Sequence, residues 1–232
     1  MFRKIFSALG LGLASVSGAA ATPPYAPYSD PAANEIYNLL FCDNLSSFAP
    51  RAKLKPQPQL EALFADPPDI PVLEKFASDS SQEGRLRSLA YWRLRSTGIR
   101  VPSKVLLGVI VETPLVAGLD TLAAFSEGGV RYINQTGKIA FFEGITSLRP
   151  LVDDLLRASQ PIVDRIGPWK SARLPPPKSG NIRLTFLVSD GLYFGEGPTA
   201  KMKQDPAAWP VIQSASALLN QVVAIATKSK SP

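Results

Sequence analysis

At 232 residues and 45% hydrophobic content, the chain is long enough to bury one good core. It contains no histidine, which excludes Ser-His-Asp and Cys-His catalysis, imidazole-ligated zinc and histidine-based pH switching. Its single cysteine, Cys42, permits neither an intramolecular disulfide nor a thiolate metal cluster, and the net charge of +6 asks for nothing beyond solubility.

Residues 1–21 have the form of a secretory signal. Arg3 and Lys4 open it, an apolar stretch follows, and Ala19, Ala20 and Ala21 offer a small-residue cleavage site. This predicts a periplasmic or secreted protein. The alternatives are an amphipathic segment lying on a membrane surface, or a disordered N-terminus on a cytoplasmic protein. A lone thiol counts mildly against export. Residues 22–33, TPPYAPYSDPAA, predict an extended proline-rich linker, so the domain proper occupies 34–232. The 22 prolines cluster at 23–31, 50–71 and 168–177, as rigid connections wrapping a folded body.

Within the domain, Ile36, Leu39, Leu40 and Phe41 mark a short docking helix, and brief helical turns follow at 60–65 and 72–78. A firmer helix is predicted over 81–97. Ser80 and Glu83 have capping-box spacing before it, and Leu86, Leu89, Ala90 and Leu94 form its apolar stripe. It carries Arg85, Arg87, Arg93 and Arg95. Residues 104–143 then read as four strands at 105–111, 119–126, 130–134 and 139–142. Valine and isoleucine fill the first, Leu119, Thr121, Ala123 and Phe125 share one face of the second, and Gly128–Gly129 and Gly137 mark turns. Short connections make this an antiparallel meander.

Residues 148–166 predict an amphipathic helix that Pro161 should kink or divide. A crossing loop, GPWKSARLPPPKSG, leads to a hairpin of 182–188 and 192–194 turning at Asp190–Gly191. A last helix spans 207–227, with Val211, Ala215, Leu218, Leu219, Val222 and Ala226 facing inward. The fold class is therefore α+β: one antiparallel sheet, a four-strand meander plus a hairpin, packed by amphipathic helices. The layout is similar to profilin-like and roadblock-like sheets by analogy alone.

No catalytic motif, cofactor fingerprint or metal-ligand set emerges. Cys42 lies in the apolar run LLFCDN, which predicts an inert, buried thiol. GLYFGEGPTAK lacks phosphate-loop spacing. The carboxylate pairs Asp190 with Glu196 and Glu112 with Glu143 are the remaining route to acid–base chemistry, and no spacing demands that either pair meets. Arg85 and Arg93 offer an anionic partner a basic face, although no nucleic-acid module is present. Trp169, Tyr193 and Phe194 are aromatics on or near loops, suited to anchoring a protein partner. These features favour a non-catalytic protein-interaction or structural domain. The alternative is a small-molecule-binding or carboxylate-dependent enzyme with a pocket between the meander and the 182–194 hairpin.

The blocks NEIYNLLFCDN, VRYINQTGK, GPWKSARLPPP and RLTFLVSDGLYFGEGP resemble a family of uncharacterised bacterial proteins carrying the same blocks in the same order. The resemblance covers residues 34–220 and implies no activity, cofactor or site residue.

Overall fold

The structure is a computed structural model that describes residues 23–49 and 58–228. The secretory-signal reading of 1–21 lies outside the described residues. Six strands form one antiparallel sheet: β1 (Leu106–Leu115), β2 (Gly118–Phe125), β3 (Val130–Ile133), β4 (Ile139–Phe142), β5 (Asn181–Val188) and β6 (Gly191–Pro198). Their order across the sheet is β4-β3-β2-β1-β5-β6. The meander and the hairpin are thus joined edge to edge by β1 and β5, which pair from Leu106↔Val188 to Glu112↔Arg183. The two are continuous across this ladder. Two strands are longer than their sequence suggests. β1 runs through Pro114 to Leu115, and β6 continues through Gly195 and Gly197, because pairing with a neighbour outweighs the weak strand preference of Pro and Gly.

Helices cover both faces of the sheet. On one side lie α1 (Pro31–Leu40), α2 (Pro58–Phe64), α3 (Ile70–Ser78) and α4 (Gly84–Ser96); α5 (Arg149–Arg165) and α7 (Ala208–Lys228) lie on the other, and α6 (Thr199–Met202) follows β6. The strand period of two deals side chains to separate cores, and the register shift between Leu106 and Gly108 puts Leu107 on the face of Ile110. Val109 and Val111 of β1 join Leu122, Phe186, Leu155, Ile162 and Leu218 in the core under α5 and α7. Leu107 and Ile110 join Ala123, Phe125, Tyr37, Leu73 and Leu89 in the core under α1, α3 and α4. A fully buried leucine, isoleucine or phenylalanine contributes about 1.5–3 kcal/mol.

Three sequence expectations change. Residues 23–30 are no free linker, since Tyr25 and Tyr28 are buried and α1 begins at Pro31 behind an Asp30 cap. Tyr28 Oη shares a 2.8 Å hydrogen bond with Thr121 Oγ1 of β2, and Tyr25 Oη donates to the Arg173 carbonyl at 2.6 Å. Pro161 does not divide α5, which runs unbroken with Ile162 and Val163 buried. The Ser80–Glu83 capping box does not form. Glu83 is the N-cap of α4 without a side-chain cap bond, and the first helical N–H, Gly84 N, donates at 2.7 Å to Glu127 Oε2 on the β2–β3 turn.

Candidate functional site

A cleft of about 630 Å³ opens at the end of the sheet where β5 turns into β6. Four other segments wall it: Pro23, residues 42–44 after α1, one face of α4 between Ser88 and Ser96, and the crossing loop at 168–173. From α4 it receives Ser88, Trp92, Arg95 and Ser96, a helical i, i+4, i+7, i+8 face. The volume falls in the range of about 300–1,000 Å³ typical of small-molecule sites.

Each wall is braced by side-chain bonds. Trp169, 37% exposed, stands at the rim. Its ring stacks edge-to-face on Phe194 with centroids 4.9 Å apart, and its Nε1–H donates to the Ala172 carbonyl at 3.0 Å. Its backbone N–H donates to the Leu192 carbonyl at 2.7 Å, tying the loop to β6. Arg173 donates from Nε to Asp43 Oδ2 at 2.7 Å and from Nη2 to Asn38 Oδ1 at 2.8 Å, with its guanidinium 3.9 Å above the Phe41 ring. Its Nη1 is buried and has no hydrogen-bond partner. Asp190 accepts from Tyr193 Oη–H at 3.1 and 3.0 Å and from Lys104 N–H at 3.3 Å. Arg95 is half-buried and donates from Nη1 to the Ser189 carbonyl; burial pulls its pKa below the ordinary guanidinium value. Cys42 also borders the cleft, yet it is 4% exposed and burial pushes its thiol well up, so it is no nucleophile.

Behind the Arg173 wall lies a buried polar cluster. Glu112 of β1 is wholly buried; Tyr37 Oη–H donates to its Oε1 at 2.7 Å, and Arg183 Nη1 stands 3.7 Å from its Oε2. Arg183 also grips Glu196 Oε2 through Nε at 2.9 Å and Nη2 at 2.6 Å. Burial raises the Glu112 pKa against the opposing pull of Arg183 and the Tyr37 bond. The two carboxylate pairs considered from sequence are each dispersed. Glu196 is held by Arg183 and Asn181, Glu143 by Arg131, Glu112 by Tyr37, and Asp190 by Tyr193. Among the described residues no group of three acidic or cysteine side chains is placed to hold a metal.

Of the aromatic and basic residues singled out in the sequence, Trp169 and Arg95 line the cleft, and Phe194 packs against Trp169. Tyr193 points into the opposite core and is 1% exposed, so it presents no ring to a partner. Arg85 pairs with Glu83 and lies over the Phe125 ring, and Arg93 donates to the Ala65 carbonyl at 3.0 Å. Arg87 is buried and donates to the Ala77 carbonyl at 2.9 Å. These α4 arginines tie loops to the helix and form no open basic face. The helical face Ser88–Trp92–Arg95 was the signal available for the cleft, but the apolar stripe of α4 draws the eye to its other side. Comparison with protein-family models, curated proteins and solved structures returned no match.

Proposed function

We propose that this chain is a non-catalytic binding domain that holds a small organic ligand in the cleft between α4 and the crossing loop. The cleft itself carries the reading: it is concave, has two indoles in its walls, and its polar groups are fixed by bonds from several elements. Its nearby carboxylates are committed to Arg173, Tyr193 and the Lys104 N–H, which supports binding over acid–base chemistry. The test is a fragment library screened against the indole N–H signals of the three tryptophans by NMR. Binders should shift Trp92 and Trp169 and leave Trp209, which lies outside the cleft, in place. A library in which nothing moves Trp92 or Trp169 rejects the reading.

A second reading, docking of a protein partner, is favoured by the β1–β2 turn. Val116 is fully exposed there and Leu115 is 41% exposed, an apolar tip projecting at the end of the sheet. A photo-crosslinker placed at position 116 should give one discrete adduct in the native cell. A smear, or no adduct, removes this reading.

A further inference from the structure

The cleft has donors left over on one wall. Ser88, Trp92 and Arg95 share a face of α4. Among the described residues neither the Trp92 indole N–H nor the Ser88 hydroxyl has a hydrogen-bond partner. Arg95 spends one nitrogen on the neutral Ser189 carbonyl and forms no ion pair among the described residues. The acids in the other walls are already engaged: Asp43 holds Arg173, and Asp190 is turned to Tyr193 and the Lys104 N–H. Arg95 is therefore a half-buried cation facing the cleft; the charge of Asp190 acts on it from the hairpin turn, but no carboxylate forms an ion pair with it among the described residues. Hydrogen bonds from a guanidinium to a carboxylate are stronger than those to a neutral acceptor, and partial burial strengthens them further.

From this arrangement we infer that the cleft is a carboxylate site, taking a small organic acid with a planar ring. The inference rests on the reading of the cleft as a small-ligand site. Arg95 holds the carboxylate, with the Trp92 N–H and the Ser88 hydroxyl as additional donors. The ring lies against the indole of Trp169, whose orientation Phe194 and the Ala172 carbonyl fix. Charge selects the class of anion. Asp43 and Asp190 stand in the same walls and repel a second negative charge, so a monoanionic carboxylate suits the cleft and a phosphate dianion does not. The indoles select the ligand body, because a flat ring covers an indole face with little loss of conformational freedom.

Phenylacetate, its neutral analogue phenylacetamide and phenyl phosphate make a discriminating set, read on the indole N–H signals of the full chain. Phenylacetate should shift Trp92 and Trp169 saturably, with the amide and the phosphate each weaker by about tenfold or more. Arg95→Gln should weaken phenylacetate by about tenfold and the amide by much less. Arg95→Lys, which keeps the charge but loses the planar fork, should fall between. If Arg95→Gln does not fold, Trp92→Phe takes its place, read on the Trp169 signal, with acid binding weakened more than amide binding. Equal binding of acid and amide, or acid binding indifferent to these substitutions, overturns the carboxylate assignment and leaves the cleft a ligand site. A set in which no compound moves Trp92 or Trp169 overturns the carboxylate assignment as well. A fragment library of neutral and cationic compounds then shows whether the small-ligand reading falls with it.

Discussion

Glu112 is the residue whose environment departs most from what its neighbours in sequence suggest. In VIVETP it reads as an acid near a strand end, yet it sits wholly buried between Tyr37 and Arg183. Nothing local signals this, because Tyr37 lies 75 positions away and Arg183 arrives on another strand. Its raised pKa fixes the sign of a stability effect. The contribution is fully present below the ordinary glutamate value and is lost as pH rises through the raised one. Glu112→Gln keeps an acceptor for Tyr37 and cannot ionise. Its stability relative to wild type should therefore increase from about pH 4 to about pH 8 in urea titrations; a constant difference would mean Glu112 titrates normally. Arg183→Met strands Glu112 and Glu196 together and should cost about 3–5 kcal/mol by the same measurement. Cys42, by contrast, was legible, since an apolar run around a lone cysteine implies burial. Its alkylation in native buffer should be far slower than that of the unfolded chain and should accelerate with denaturant as the chain opens.

Among the elements, the meander was the most readable. Period-two patterning and glycine turns are local signals, and all of its strands pair with sequence neighbours. Residues 23–30 and the start of α4 were not readable, for the same physical reason: their partners are distant. Tyr25 and Tyr28 look like linker residues until the Arg173 carbonyl and Thr121 reach them. The α4 N-terminus takes its cap from the β2–β3 turn and none from its own Ser80. Gly84 shows how tightly that helix lies on the sheet. A Cβ there would come within 2.3 Å of the Leu107 carbonyl oxygen, a backbone atom that cannot swing aside. Gly84→Ala should lose about 1–3 kcal/mol despite alanine's better helix propensity, seen as a lower melting temperature. A neutral or stabilising result would show that α4 can lift off β1.

At the scale of the molecule, the architecture was legible and the site was not. Alternating strands and amphipathic helices announce an α+β sheet protein. The cleft is assembled from five segments spread from residue 23 to residue 192, and only the final packing brings them together. One sheet serves as the floor of two cores, with Val109 and Val111 facing one and Leu107 and Ile110 the other. The two halves should accordingly melt together. Near-ultraviolet and far-ultraviolet circular dichroism are expected to give coincident unfolding curves, and separated curves would show the two helical layers to be independent.

The strand order has a kinetic consequence. Every pairing in the sheet joins consecutive strands except β1 with β5. The β1–β4 block and the β5–β6 hairpin can each zip up from a tight turn, whereas β1 must find β5 across a long intervening chain that includes α5. Closing that loop costs entropy before either core gains its centre, which makes the β1–β5 seam the expected bottleneck of folding. Truncations at Val109 or Phe186, on the seam, should slow refolding. Truncation of Phe142, on the outer strand, should instead speed unfolding.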